Sequence, residues 1–350
     1  MPSPQDTPDL EASRAGLRQG RHASRTETRS ICTGVLAGDV DMTAFGAWLE
    51  ALADLGESAD EIAGVADSLR ERMVPVRSHH ALVADTCGTG GDGSGSVNIS
   101  TAAALVAAAA GLPVAKHGNR AVTSRTGSAD VLEALGIAVG EPAEASGRRL
   151  DACGFCFCLA PVHHPAMARV GPLRKSLGRP TVFNLVGPLC NPAGASVQVI
   201  GVGRATAREP VAVAASLLGA RRSVIVSGHL GDGPAVFDEV SLFGPTDVVE
   251  VADGEVTRSR WTPEDFGMAS QPASCLGELA VSGPAESAAA IREVFAAARG
   301  PRRDVVVLNA AAVLWAAGRA TDLEAARATA EAAIDSGAAA RLVERLASAG

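Results

Sequence analysis

Residues 81–111 constrain the fold more than any other stretch of this chain. The run ALVADTCGTGGDGSGSVNISTAAALVAAAAG opens on a short apolar segment, crosses a glycine-rich loop and closes on an alanine-rich helical segment. PVAK then begins a second strand, and SADVLEALG a second helix for which Ser128 is the expected cap. Strand, helix and strand in that order form a βαβ unit, which builds a parallel sheet with both faces covered. The later runs FCFCLAP, VQVIGVG and SVIVSG read as further buried strands.

The flanks are helical. Met42, Phe45, Trp48, Leu49, Leu52 and Leu55 recur at helical spacing after Asp41, an expected N-cap. Ser58 to Glu61 is a capping box leading into Ile62, Val65, Leu69 and Met73. The last third returns to helices, one entered at Thr321-Asp-Leu-Glu324 and stopped by Gly337. Residues 1–27 carry no apolar h-region and are expected to be a disordered leader. The expected class is therefore α/β. A small helical domain over 28–78, completed by helices around 165–195, stands beside a larger α/β domain over 79–350 with a mostly parallel central sheet.

A formal net charge of -8 opposes nucleic acid and anionic membrane surfaces, so neither is an expected partner. No apolar stretch reaches the ~18 uninterrupted residues of a membrane span. Seven cysteines, an odd number without an export signal, point to reduced thiols in a cytoplasm. Positive charge is written almost wholly as arginine; the two lysines, Lys116 and Lys175, both lie in the segments that look chemical.

Gly88, Gly90 and Gly93 satisfy the spacing G-x-G-x-x-G between a strand and a helix, where backbone N–H groups and a helix N-terminus attract anions. A dinucleotide site needs an acidic residue about 20 positions later. No Asp or Glu occurs between Asp92 and Asp130, and that window holds Lys116, Arg120 and Arg125 instead. A nicotinamide site is excluded on these residues, and without GxxxxGK[ST] so is a P-loop. What fits is a ligand with more phosphate. Ser96, Asn98, Ser100 and Thr101 crowd the helix start, and the second strand delivers Lys116-His117-Gly118-Asn119-Arg120, then Thr123, Ser124 and Ser128. Both loops open at one sheet edge, where α/β folds bind ligands. Any single hydroxyl here is equally well a helix cap; the joint density across two loops favours a site.

Three further clusters leave alternatives open. His163 and His164 suggest a metal, but no third ligand lies at metal-like spacing, so structural roles are favoured. Cys153, Cys156 and Cys158 interleave with Phe155 and Phe157 and read as buried small side chains rather than a zinc knuckle. Arg174 is either a bidentate carboxylate receptor or a surface arginine. Asp238-Glu239 is either a magnesium ligand pair or an ordinary acidic loop.

Taken together, the segment from Asp85 to Gly136 resembles the anthranilate phosphoribosyltransferase family, with GTGGD, NIST and KHGNR in order. The resemblance continues through PVHHPAMARVGPLRKSLG, TVFNLVGPLCNPA, FDEVSLFGPT, WTPEDFGM and RRDVVVLNAAAVLWAAG, covering about residues 30 to 345. It implies the nucleoside phosphorylase/phosphoribosyltransferase type of fold, a homodimer formed through the helical part, and two Mg²⁺ ions. By the same resemblance, phosphoribosyl pyrophosphate is contacted by Gly88, Gly91, Asp92, Ser96, Asn98, Ile99, Ser100 and Thr101. The second loop adds Lys116, His117, Gly118, Asn119, Arg120, Ala121, Val122, Thr123, Ser124 and Ser128. Anthranilate meets Gly88, Asn119 and Arg174, the last taking its carboxylate. Ser100, Asp238 and Glu239 hold metal. Departures from the family pattern include Ser96 for a usual Thr, Thr123 for a usual Ser and Ser287 for a usual Asn. GPAV before Asp238-Glu239 departs from a usual Gly-Leu, so the loop entering that pair is expected to differ in shape.

The implied reaction passes the 5-phosphoribosyl group to the amine of anthranilate in tryptophan biosynthesis. It runs through an oxocarbenium-like sugar, with positioning and charge stabilisation supplying the rate. An arylamine is nucleophilic when neutral, so no catalytic base is assigned. The rivals are a pyrimidine nucleoside phosphorylase-like enzyme and a non-catalytic nucleic-acid-binding paralogue. KHGNR and the Asp-Glu pair argue against the first, the acidic charge against the second.

Overall fold

The computed structural model describes residues 9–121, 124–231 and 236–348. Four helices come first: α1 (Leu10–Arg18), α2 (Arg25–Ala37), α3 (Met42–Leu55) and α4 (Ala59–Arg70). Then follow β1 (Ala84–Gly88), α5 (Ile99–Ala109), β2 (Val114–Gly118), α6 (Ser128–Ala134), α7 (Ala143–Cys153), β3 (Phe155–Leu159) and α8 (Ala160–His163). Two short helices, α9 (Gly171–Leu177) and α10 (Val182–Val186), lead into β4 (Val197–Gly201), α11 (Arg208–Leu217) and β5 (Arg222–His229). The strands β6 (Val236–Phe237), β7 (Thr246–Ala252) and β8 (Glu255–Trp261) precede α12 (Pro284–Phe295), α13 (Pro301–Ala316), α14 (Leu323–Asp335) and α15 (Ala338–Ser348).

The helix starts follow local chemistry. The Asp41 carboxylate accepts from the Ala44 N–H at 2.8 Å, and Ser58 with Glu61 closes a complete capping box. Glu61 does more than cap. Its carboxylate is fully buried and also accepts the Ala23 N–H at 2.8 Å, so it ties α4 to the entry of α2. Ser128 is not the cap it was expected to be: Gly127 precedes α6, the Asp130 carboxylate accepts the Gly127 N–H, and the Ser128 hydroxyl donates to the Asn119 carbonyl.

The expected disordered leader is replaced in part by α1. Asp9 caps it, Leu17 is buried, and the Ser13 hydroxyl accepts the indole N–H of fully buried Trp48 at 3.1 Å. A nine-residue helix with few apolar residues is marginal alone and gives little periodic signal; docking against α3 is what orders it. The helical core also takes Val170, Val182, Phe183, Leu185 and Val186 from the α9–α10 region, far along the chain.

One sheet runs β3-β2-β1-β4-β5-β7-β8, with β6 paired to β5. The strands β3, β2, β1, β4 and β5 are mutually parallel, and β6, β7 and β8 add antiparallel partners. On one face α5, α13 and α14 bury an alanine- and valine-rich core. On the other, Ile200, Ile225, Val249 and Val251 meet α11 and the helical bundle in a single continuous cluster. The helical part is therefore packed directly against the sheet it helps to cover. Because β2 and β4 flank β1 on opposite sides, the direction of strand addition reverses there, the point at which parallel sheets leave a crevice at the carboxyl ends of their strands.

Candidate active site

Asp238 and Glu239, which leave β6, are pushed into that crevice, and glycines at three strand ends make the room. A Cβ at Gly88 would stand 2.9 Å from Asp238 Cγ and closer still to Oδ2. At Gly201 it would overlap the Asp238 carbonyl, and at Gly228 it would lie 2.6 Å from the Glu239 carbonyl oxygen. Asp238 Oδ2 accepts the Gly90 N–H at 2.8 Å, and Glu239 Oε1 accepts the Ser100 N–H at 3.1 Å. The acidic pair thus joins the glycine-rich loop to the start of α5.

Asp92 converges on the same point from the loop. Its Oδ1 accepts both the N–H and the hydroxyl of Ser94 at 3.1 Å, whereas its Oδ2 is buried without a hydrogen-bond partner. Burial, together with the Asp92 charge, pushes Asp238 up to about 7. Burial and then the Asp238 charge raise Glu239 well above the carboxylate range. Asp92, Asp238 and Glu239 are near enough to raise one another's proton affinity, and with one orphaned oxygen among them they offer the hard oxygen donors that Mg²⁺ takes. Asp92 was expected at phosphoribosyl pyrophosphate, and its closeness to Asp238 was not foreseen. Its loop position hid the partnership, since 146 residues separate it from Asp238 in the chain.

Beneath the cluster the ammonium of Lys116, 1% exposed, donates to the Thr86 carbonyl at 2.6 Å and to Ser100 Oγ at 3.3 Å. Lys116 is thus an internal counter-charge, and it lowers the cost of ionising both Asp85 and Glu239. Buried Asp85 accepts from the Asn191 side chain at 2.8 Å and from the His117 N–H at 3.3 Å.

The remaining expected residues divide into those that face ligand space and those that build the frame. The loop carries Gly90 and Gly91 at φ 71° and 84°, and nothing lies within 4 Å of a Cβ built on either. Their backbone can approach an anion closely only because no side chain intervenes. Ser96 pairs in a bridge with Ala280 and accepts from Ser94. Asn98 is committed to the frame: its Oδ1 accepts from Ser287 Oγ at 2.7 Å and Thr126 Oγ1 at 3.0 Å. Ser287, at a position where an Asn was noted as usual, keeps a hydroxyl that completes this link. Ile99 is buried in the core, so only its backbone is available. Thr101 Oγ1 is buried and unpartnered.

In the second loop Gly118 is required because a Cβ there would lie 3.0 Å from the Phe157 ring and overlap Ser128 Oγ. Asn119 Oδ1 accepts the Arg120 N–H, and the Asp130 carboxylate accepts the Ala121 N–H. Arg120 makes two 2.6 Å contacts with Glu133, so in this state its charge is engaged by α6. Ser124 donates to the Thr126 carbonyl, while Val122 and Thr123 lie outside the described residues. Arg125 lies 3.7 Å from a Cβ built on Gly95 and donates to the Val281 carbonyl, which sets a cation beside the first loop. It was visible in the acid-free window of the sequence but was not singled out.

The His117 and His164 rings meet at 5.0 Å between centroids, tilted by 50°. Burial brings His117 down to about 3 and His164 to about 4, so both rings are neutral and His117 carries no charge to phosphate. His163 and His164 bond the Val74 and Cys190 carbonyls, in line with structural roles. Cys156 and Cys158 are buried free thiols of β3. Arg174 stands apart on the helical side: neighbouring Leu173 packs on the helical core, and the guanidinium lies 5.7 Å over the Phe183 ring. Burial lowers its pKa, and no carboxylate among the described residues pairs with it. No hydrogen bond joins it to the glycine-rich loop, so any shared ligand must bridge the two bodies.

This arrangement has close counterparts. Residues 80–340 match the glycosyl transferase family a/b domain and residues 15–73 its helical bundle domain. Anthranilate phosphoribosyltransferase of Moorella thermoacetica is 44% identical over 96% of this chain and 97% of its own length. That of Rhodopirellula baltica is 42% identical over 94% of each. The crystal structure of anthranilate phosphoribosyltransferase from Thermus thermophilus superposes with a TM-score of 0.87 at 42% identity, covering 96% of this chain and 98% of that one. The enzyme from Saccharomyces cerevisiae, in complex with PRPP and Mg, gives 0.85 at 28% identity over 97% and 98%. Both domains match and the alignment is nearly complete, so the chain belongs to the anthranilate phosphoribosyltransferase family.

Proposed function

We propose that this chain transfers the 5-phosphoribosyl group of phosphoribosyl pyrophosphate to the amine of anthranilate. The products are N-phosphoribosylanthranilate and pyrophosphate, a step of tryptophan biosynthesis. The observation that carries this reading is the meeting of Asp92, Asp238 and Glu239 with an open glycine-rich loop at the sheet's reversal point. A phosphate-rich donor brought by a divalent cation satisfies both.

Asp92, Asp238 and Glu239, with the Ser100 hydroxyl, would hold Mg²⁺, which when bound neutralises the pyrophosphate and favours its departure. The chain's own part is positioning and charge. Gly90 and Gly91 offer backbone N–H groups to phosphate, and the N-terminus of α5 adds its dipole. Arg125 and the KHGNR loop surround the same space. Arg174, unpaired and held on the helical body, takes the anthranilate carboxylate and leaves the amine free to attack. The amine is nucleophilic without deprotonation, so no imidazole is asked to act as a base. Drawing the helical body toward the sheet brings acceptor to donor and excludes water from the oxocarbenium-like sugar.

Two ions are proposed because acceptor oxygens stand on both sides of the pair, Asp92 with Asp238 and Ser100 with Glu239. A homodimer through the helical part is proposed from the family resemblance; a concavity between α1 and α3, where Leu17, Ala51 and Leu55 are ringed by Arg18, Glu50 and Asp54, offers a mixed apolar and charged surface for it. A cytoplasmic location is proposed from seven free cysteines. No helix among the described residues is long and apolar enough to cross a membrane.

The deciding experiment follows the intrinsic fluorescence of anthranilate with donor and Mg²⁺. Loss of signal that requires both is the expected result, and a steady signal refutes the activity. Asp238→Ala with Glu239→Ala should depress turnover and raise the Mg²⁺ needed; an unaltered metal dependence removes the pair from the site.

A further inference from the structure

The segment that links α4 to β1 carries a second cluster of metal-ligating groups, on the opposite side of the chain's chemistry. Residues 74–80 run as a strap over α7. The Val74 N–H bonds the His163 carbonyl and the Val76 N–H the Pro192 carbonyl. Gly147 of α7 lets the strap lie flat, since a Cβ there would overlap the Arg77 carbonyl oxygen. At its end His79 and His80 face Asp151 of α7. His79 Nδ1 is 3.1 Å from Asp151 Oδ2, and His80 Nε2 is 4.0 Å from Oδ1. One ligand atom from each of the three lies within 4.8 Å of the others.

We propose that His79, His80 and Asp151 form a surface site for a borderline divalent transition ion such as Ni²⁺, Zn²⁺ or Cu²⁺. Two imidazoles and a carboxylate are the donor types these ions favour, whereas Mg²⁺ prefers oxygen alone. Ligand atoms about 2.1 Å from an ion lie roughly 3.4 Å apart at a tetrahedral angle. The cluster reaches that spacing by a small swing of His79, whose side chain is 69% exposed and unhindered.

The carboxylate is already oriented. Asp151 Oδ1 accepts the Ser78 hydroxyl at 2.5 Å and the His79 N–H at 3.2 Å, leaving Oδ2 toward the His79 imidazole. The hydrogen bond from Ser78 and then from the His79 backbone keeps the carboxyl below its ordinary range and hence ionised. Such outer bonds fix the ligands of a metal site. The tilted rings of His79 and His80, 4.7 Å apart, each bring one nitrogen to within 4.8 Å of this carboxylate and of one another. His80 Nε2, now 3.3 Å from the Leu150 carbonyl, exchanges that contact for the ion. The remaining coordination positions face solvent and take water. A bound ion clips the strap, and through it the junction of helical body and sheet, to α7. None of this depends on the activity proposed above.

Equilibrium dialysis of the full chain against Ni²⁺, with Mg²⁺ in large excess to occupy the carboxylate cluster, tests the site. One Ni²⁺ per chain is expected. His79→Ala, His80→Ala and Asp151→Asn should each weaken it by more than about 10-fold, because loss of an outer contact alone costs 10- to 100-fold. Ser78→Ala should cost about 10-fold, through Asp151. Asp238→Ala should leave Ni²⁺ binding intact. The proposal is overturned if no Ni²⁺ is retained at about 1 mM. It is equally overturned if the His79→Ala, His80→Ala double variant retains the ion as the wild type does, or if Asp238→Ala releases it.

Discussion

Replacing Gly88 by alanine puts a methyl carbon 2.9 Å from Asp238 Cγ, and nearer still to the Oδ2 that accepts the Gly90 N–H. Gly88 does not lie in the left-handed region, so the substitution strains no torsion and acts by contact alone. Asp238 is fixed by its own backbone against Gly201 and cannot retreat, so its carboxylate must rotate and lose the Gly90 bond. A hydrogen bond to a charged group contributes about 1.5–3 kcal/mol, equal to roughly 10- to 150-fold in affinity. Gly88→Ala should therefore raise the Mg²⁺ concentration for half-maximal activity by about that factor, with the fold retained. The assay is anthranilate fluorescence at saturating donor across a Mg²⁺ series, with thermal unfolding as the check on folding. In an Asp238→Ala background the same alanine should add little, because the group it displaces is gone. A wild-type Mg²⁺ dependence in Gly88→Ala, or full additivity in the double variant, refutes the proposed contact and its role.

Three further outcomes are expected. Gly91→Val should abolish donor binding by calorimetry while leaving a cooperative thermal transition, since φ is 84° and the Cβ would enter open ligand space; normal donor affinity would displace the loop from the site. Arg174→Ala should raise the anthranilate Michaelis constant about 10- to 150-fold with donor binding nearly unchanged. Arg174→Lys should recover only part of this, because an ammonium lacks the planar fork; weakened donor binding instead would assign Arg174 to the pyrophosphate. The stabilisation by Mg²⁺ should grow with pH. Asp238 is raised to about 7, so the metal-free fold is favoured at low pH and loses that contribution as pH rises from the unfolded carboxyl value through 7. Mg²⁺ must displace the proton below 7 and meets an ionised carboxylate above it. The Mg²⁺-induced rise in Tm should be larger at about pH 8 than at about pH 5.5, and a constant rise would remove Asp238 from the metal site.

The order of strands and helices was legible because each rests on local rules. Gly88 to Gly93 between apolar segments, Asp41 and the Ser58–Glu61 box as caps, and Gly337 as a stop are all short-range chemistry. The acid-free window from Asp92 to Asp130 was sufficient to reject a dinucleotide. The hairpin β7–β8 went unread although Asp253-Gly254 marks its turn, with Asp253 at φ 48°. Helix α1 gave no signal because Trp48, not its own sequence, orders it. What only the tertiary structure decided is which charges meet. Asp92 and Asp238 meet because β6, paired to β5, carries Asp238 onto Gly201 at the end of β4 and Gly88 at the end of β1; Lys116 is a buried counter-charge, and Arg120 is held by Glu133. Electrostatic partnership depends on distance and burial in space, and neither is written in residue spacing. The sequence determined which chemistry the chain carries; the packing of β6 on β5 and over the ends of β1 and β4 decided where its charges converge.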